Sequence, residues 1–184
     1  MPAALVAEAT SNMLRAVAQA LGSSSPGEVL ARVNETLLAR IPPNMFVTCF
    51  YAILEPKSGH LSYANAGHDL PYLHRSGDDA EELRARGMPL GLIPGMGYEE
   101  KEVSLQAGDS ALFALFYSDG LVEAHDPKGE MFGFPRLRVL IAEHGEERAL
   151  GDFLLEELYS FTGEGWEQED DITLLTLECS PTRS

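Results

Sequence analysis

The sequence predicts an α+β fold with helices layered against antiparallel sheet, and three observations carry that prediction. Apolar residues recur at helical spacing over residues 2–21 and again after Ser25. From Met45 the pattern changes to short runs rich in β-branched and aromatic residues, separated by Gly, Pro, Asn and Asp, as in strands joined by tight turns. The helical period returns at Phe134 and gives way to one last strand. Helices and strands are thus segregated, without the regular alternation of a doubly wound parallel sheet. At 184 residues the chain reads as a single domain, 1–184, with no internal repeat and no linker.

The first helix, residues 2–21, turns Ala3, Leu5, Val6, Met13, Leu14, Val17 and Leu21 to one side. Pro2 suits its first turn, and Gly22 with three serines ends it. Ser25-Pro26-Gly27-Glu28 has the form of a capping box with proline at the first helical position. Val29, Leu30, Val33, Leu37, Leu38 and Ile41 form the apolar face of the second helix, which Pro42-Pro43-Asn44 stops. Met45 to Leu54 is the first strand, Glu55 to Gly59 a turn, and His60 to Ala66 the returning strand. Pro71 to Arg75 is a short strand with a polar tip at Ser76-Gly77-Asp78-Asp79 and a partner at Glu81 to Arg86. Pro89, Gly91, Pro94, Gly95 and Gly97 make Met88 to Gly97 a structured loop. Tyr98 to Leu105 is a strand, Gln106 to Asp109 a turn, and Ser110 to Tyr117 a strand that delivers Asp119. Helices follow at Phe134 to His144 and Glu147 to Phe161, parted by Gly145, and Ile172 to Glu178 closes the fold.

Composition narrows the function classes. The formal charge is 13 − 29 = −16, which argues against nucleic acid or an anionic membrane as partner, since both require basic surface. Cys49 and Cys179 lie in apolar, strand-like runs and read as buried free thiols. Met1-Pro2-Ala3-Ala4 lacks a basic leader, and no apolar run approaches the ~20 residues of a membrane span, so the expectation is a cytoplasmic protein. There is no phosphate-binding Gly-rich loop with its lysine and no Gly-x-Ser-x-Gly elbow. The five histidines show no zinc spacing, and neither cysteine has a reactive-looking setting.

Carboxylates remain. Tyr117-Ser118-Asp119-Gly120-Leu121-Val122-Glu123-Ala124 follows one strand, and Gln168-Glu169-Asp170-Asp171-Ile172-Thr173 precedes another. If those strands are neighbours, Asp119 and Asp170 can share a hard divalent cation, which prefers a few carboxylate oxygens and keeps several waters. Spacing alone equally allows Asp119 as a turn residue before glycine and Asp170-Asp171 as a solvated loop.

Four blocks in order carry a resemblance: Asn44-Met45-Phe46-Val47-Thr48, Tyr63-Ala64-Asn65-Ala66-Gly67-His68, the Ser118-Asp119-Gly120 block and Asp170-Asp171-Ile172-Thr173. Together with Gly129-Glu130-Met131-Phe132-Gly133, they make the chain similar to the metal-dependent (PPM, type 2C) serine/threonine phosphatases of the bacterial SpoIIE/RsbU branch. The resemblance implies a four-layer α/β/β/α sandwich of antiparallel sheets flanked by helices. It further implies a binuclear Mn2+ or Mg2+ centre whose metal-bound water attacks phosphoserine or phosphothreonine, with no catalytic side chain. Asp119 and Asp170 match the family's metal ligands, with Asp171 a weaker match. Asn65, Gly67 and His68 match a block near the site and read as a packed strand and turn. The implied substrate is a phosphorylated anti-sigma-factor antagonist.

Two departures from the family pattern stand out. The family begins with aspartate-bearing strands, including an Asp-Val-Ser-Gly-x-Gly block just ahead of a Pro-Ala-Ala-Leu helix. This chain starts at Met1-Pro2-Ala3-Ala4-Leu5 without them. The expectation is therefore a fold lacking its first strands, with a sheet edge that a homo-oligomer would cover. The second departure is the doubled tripeptide Ala111-Leu112-Phe113-Ala114-Leu115-Phe116, longer than the family's path by one copy. An odd insertion inverts the facing of a strand unless a bulge absorbs it. The leading expectation is a metal-dependent phosphoprotein phosphatase in bacterial signalling. The alternative is a catalytically impaired module of the same fold that binds a regulatory partner.

Overall fold

A computed structural model describes residues 3–22, 25–75, 79–105, 112–144 and 149–179. They form two compact units, Met1–His68 with Arg84–Ser104 and Asp69–Leu83 with Leu105–Ser184. Each unit is one antiparallel sheet with its own pair of helices, the α+β class that segregated elements predict.

In the first unit, α1 (Ala3–Leu21) and α2 (Pro26–Leu38) belong with a three-stranded sheet. Its strands β1 (Cys49–Glu55), β2 (His60–Ala66) and β5 (Glu100–Ser104) run in the order β1-β2-β5. Ser25 caps α2 as the sequence predicts, its hydroxyl accepting the Glu28 N–H at 3.3 Å. Glu100 on β5 adds a second cap, taking the Gly27 N–H at 3.1 Å and the Ser25 hydroxyl at 2.7 Å. Val29, Leu30, Val33 and Leu37 of α2 pack on Ala64 and Ala66 of β2 and on Leu90 and Tyr98. The loop over 88–97 is tied to α2 by Asn34, which is fully buried. Its Nδ2 donates to the Ile93 carbonyl and its Oδ1 accepts the Gly91 N–H, both at 2.8 Å.

The second unit holds β3 (Tyr72–Arg75), β4 (Glu81–Glu82), β6 (Leu112–Tyr117) and β7 (Leu174–Cys179) in the order β4-β3-β6-β7. Its helices are α3 (Gly133–His144) and α4 (Leu150–Thr162). Phe113, Leu115 and Tyr117, at alternate positions of β6, join Leu137 and Ile141 of α3 and Leu154 and Leu158 of α4 in one core. The register of β6 is unbroken from Leu112↔Cys179 to Tyr117↔Leu174, and equally so against β3. No bulge therefore absorbs the doubled tripeptide within Leu112–Tyr117; Ser110 and Ala111 lie outside the described residues.

Several boundaries differ from the sequence reading, each for a tertiary reason. Met45 to Thr48 does not join β1, because Val47 makes an isolated antiparallel bridge to Leu90 instead. The expected strand Glu81 to Arg86 shortens to two residues. Leu83 bonds back to the Pro71 carbonyl, and Arg86 pairs with Glu99 in the first unit. β7 begins at Leu174, two residues after the predicted Ile172. Cys49 and Cys179 are free thiols but only half-buried. The predictions at Pro2, Ser23-Ser24, Ser76 to Asp78, Gln106 to Asp109, Gly145 and the start of the last helix at Glu147 fall outside the described residues.

Asn34→Ala leaves the Gly91 amide and the Ile93 carbonyl without their buried partner, so it is expected to cost about 1–3 kcal/mol in urea unfolding. A midpoint equal to the parent's would show that Asn34 does not tie the loop.

Candidate functional site

Asp119 and Asp170 stand just beyond the ends of two neighbouring strands, as the sequence requires for a shared site. β6 and β7 pair antiparallel up to Tyr117↔Leu174, and Asp119 follows β6 while Asp170 precedes β7. Beyond the last pair, Ser118 carries the pairing on. Its N–H donates to the Thr173 carbonyl at 3.0 Å. Its hydroxyl accepts the Thr173 N–H and donates to the Asp171 carbonyl, both at 2.9 Å.

Asp119 opens a short 3-10 helix, Asp119–Leu121, whose Val122 and Glu123 N–H groups both bond the Asp119 carbonyl at 2.9 Å. Gly120 is required by close approach: a Cβ there would lie 2.7 Å from the Asp171 carbonyl oxygen and 3.3 Å from that of Asp170. The segments bearing Asp119 and Asp170 therefore run against each other, backbone to backbone.

The two carboxylates are held in the same way. Asp119 Oδ1 accepts the Gly120 N–H at 3.1 Å, and Asp170 Oδ1 accepts the Asp171 N–H at 2.7 Å. In each case Oδ2 makes no hydrogen bond or ion pair to a described residue, and Asp119, Asp170 and Asp171 are all exposed. One oxygen of each carboxylate is thus left without a protein partner among the described residues, and a hard divalent ion is a group that takes a few such oxygens and completes its shell with water. A two-ion centre needs more carboxylates. Among the described residues no group of three or more His, Cys, Asp or Glu side chains gathers to hold a metal.

Downstream, residues 122–133 form a tight hairpin. Phe132 N–H bonds the Ala124 carbonyl, Gly133 N–H bonds the Val122 carbonyl, and His125 bridges Met131. Asp126 organises its turn: Oδ1 accepts the Lys128 and Glu130 N–H groups at 2.8 Å, and Gly129 takes φ 82°. The Glu130 N–H, followed by the Lys128 N–H, holds the Asp126 carboxyl below its usual 3.8. From this hairpin His125 Nδ1 reaches Glu169 Oε2 at 2.9 Å. His125 has no metal-ligand spacing to another histidine. Nothing local in the sequence signals a pair 44 residues apart.

Asn65, Gly67 and His68 lie in the first unit and behave as a strand end and turn. The Asn65 side chain closes the turn on itself, accepting the His68 N–H and donating to the His68 carbonyl, each at 2.8 Å. Gly67 takes φ 71°, and a Cβ there would meet the Pro89 ring at 2.7 Å.

Comparison with known proteins gives a consistent picture. The family model for stage II sporulation protein E (SpoIIE) matches residues 1–180. The chain is 28% identical over 155 residues to the phosphoserine phosphatase RsbU of Bacillus subtilis, covering 83% of this chain and 44% of that protein. It thus spans less than half the length of that relative. Among solved structures it resembles the SiaA-PP2C domain of Pseudomonas aeruginosa, with a TM-score of 0.77 at 19% identity. The match covers 93% of this chain and 68% of that one. It also resembles the phosphatase domain of SpoIIE from Bacillus subtilis, solved from manganese-presoaked material. There the TM-score is 0.59 at 18% identity, over 95% of this chain and 74% of that one. The fold is accordingly PP2C-like.

Gly120→Ala is expected to lower stability by about 1–3 kcal/mol in denaturant unfolding, because the new methyl overpacks the Asp171 carbonyl. An unchanged midpoint would mean that the two segments are not in register as described. Because the folded value of Asp126 is depressed, its contribution to the hairpin is complete above 3.8 and is lost as pH falls through the lower folded value. An NMR titration of the Lys128 and Glu130 amides should give a midpoint below 3.8, and a midpoint at or above that value would contradict the turn geometry.

Proposed function

Because the chain belongs to the SpoIIE family, we propose that it is a single phosphatase-like domain over 1–184 that hydrolyses phosphoserine or phosphothreonine with the help of Mn2+ or Mg2+. The observation that carries this reading is the Ser118 clamp, which brings the backbones bearing Asp119 and Asp170 together with one oxygen of each carboxylate uncommitted. Asp119 and Asp170 are the proposed metal ligands, and Asp171 is a weaker third. When bound, such an ion supplies a Lewis acid for the phosphoryl oxygens and a water of lowered pKa.

The remaining work falls to this chain's own groups. Ser118 and Gly120 set the separation of the two carboxylate-bearing segments, and the paired Oδ1 contacts fix how each carboxylate is turned. Cys49 is disfavoured as a nucleophile. Burial pushes the Cys49 thiol up to about 11, so it stays protonated at neutral pH and offers no thiolate for phosphoryl transfer. An acidic chain of net −16 suits a protein substrate with basic surface around its phosphorylated residue, rather than nucleic acid. RsbU being a phosphoserine phosphatase supports phosphoserine as the group hydrolysed; the proposed substrate, as the family resemblance implies, is a phosphorylated anti-sigma-factor antagonist in a cytoplasmic signalling pathway. Among the described residues no helix is long and apolar enough to cross a membrane.

The second reading, a phosphatase-fold module that binds a regulatory partner without catalysis, is favoured by the lack of a three-donor cluster among the described residues. One assay separates the two. With Mn2+ and a phosphoserine peptide the chain should release phosphate, and Asp119→Ala or Asp170→Ala should lower the rate about a hundredfold or more. Release that survives Asp119→Ala removes that residue from the site. No release from a chain that still binds the phosphoprotein favours the binding module.

A further inference from the structure

The loop that carries Asp170 and Asp171 is gripped at two places by the segment that carries Asp119. One grip is Ser118, whose three hydrogen bonds take the Asp171 carbonyl and both backbone groups of Thr173. The other is His125, whose Nδ1 lies 2.9 Å from Glu169 Oε2. Ser118 acts on the strand side of the two aspartates and His125 on the residue immediately before them. His125 is a suitable anchor because its own backbone is fixed. It bridges Met131 inside the 122–133 hairpin, whose turn Asp126 closes with two hydrogen bonds.

We propose that His125 is a positioning residue: through Glu169 it holds the loop bearing Asp170 and Asp171, and so presets those carboxylates for a hard divalent cation. The metal half of this statement rests on the function proposed above, and the loop half does not. The contact needs no particular charge on the ring, since an Nδ1–H donates to the carboxylate in the neutral tautomer as well as in the imidazolium. Both side chains are partly exposed, 38% and 52%, so the pair adds little to global stability. Its consequence is local. Glu169, Asp170 and Asp171 are three consecutive like charges, and an untethered loop would spread them apart. Partners one step removed from a metal ligand commonly change affinity without touching the ion.

The experiment uses the whole chain and two readouts. Manganese binding is followed by calorimetry for the parent, His125→Ala, Glu169→Ala, the double variant and His125→Asn. The asparagine Nδ2–H stands where the imidazole Nδ1–H stood. Amide hydrogen exchange of a peptide covering 168–173 is followed without metal. The expected result is a manganese affinity lowered about threefold to tenfold in each alanine variant, no further loss in the double variant, and recovery in His125→Asn. Faster exchange at 168–173 should accompany the alanine variants, with thermal unfolding unchanged. Equal affinity in parent and His125→Ala overturns the proposal, as does His125→Asn behaving like His125→Ala. If the parent takes up no manganese, the metal reading falls by itself. The loop claim is then decided by exchange: faster exchange in His125→Ala sustains it, and unchanged exchange overturns it.

Discussion

The hydroxyl of Ser118 is the constraint on which the arrangement of the candidate site depends. An antiparallel ladder gives up its pairing where the strands end, and here it ends at Tyr117↔Leu174. Ser118 prolongs it by one step, its side-chain oxygen serving as both donor and acceptor beside the bond from its backbone N–H. With the bond from its own N–H, three hydrogen bonds join this residue to Asp171 and Thr173. At about 0.5–1.5 kcal/mol each they outweigh any single exposed ion pair nearby. The grip leaves no room over residue 120, so glycine there is a consequence of Ser118 and not an independent feature.

The strand leading into Ser118 is anchored just as firmly. Tyr117 is buried, stacks on Tyr72 at 6.0 Å and donates its hydroxyl to the Leu70 carbonyl at 3.1 Å. Burial, reinforced by Tyr72, Asp69 and Glu82, raises its pKa strongly, so it remains a donor at any physiological pH. Leu115 and Phe113 before it sit in the helix-backed core. The doubled Ala-Leu-Phe therefore does not loosen the delivery of Asp119. Both faces of β6 find cover over Leu112–Leu115, with Leu112 and Ala114 as deeply buried as Phe113 and Leu115. A repeat of three apolar residues is tolerable where neither face of a strand meets water, because inverting the alternation then exposes nothing polar to the core.

What was legible in the sequence follows the range of the forces involved. Caps and periodicity act over four residues or fewer, and the start of the second helix, the β1–β2 turn and α3 are legible nearly to the residue, whereas the second helix ends at Leu38, short of the expected Ile41. Long-range partners were not legible. Asn34 reads as a polar residue on an amphipathic helix, yet it is wholly buried because Gly91 and Ile93, 57 and 59 residues away, consume its amide. Met45 to Thr48 has the composition of a strand but spends its pairing on Leu90. At the site, the aspartates stand out in the sequence because they sit in contiguous motifs. The contacts of Ser118 with 171 and 173 and of His125 with Glu169 do not, because they join segments distant in the chain and leave no periodic trace.

The acidic character of the chain takes on a sharper meaning at this site. Like charges at successive positions repel, and a chain of net −16 supplies few cations to relieve them. Within Glu169-Asp170-Asp171 the relief is parcelled out: Glu169 to His125, Asp170 Oδ1 to the following amide, and the Asp171 carbonyl to Ser118. What is left over is one carboxylate oxygen on Asp170, facing no described cation, beside a segment in which Asp119 is left with the same. Under the proposed function the compensating cation comes from solution, and the backbone that carries the charge is already fixed by hydrogen bonds. On the strand side of the aspartates the grip is built from neutral groups, a serine hydroxyl, a glycine and backbone amides, and under the proposed function that leaves the two carboxylate oxygens to the ion.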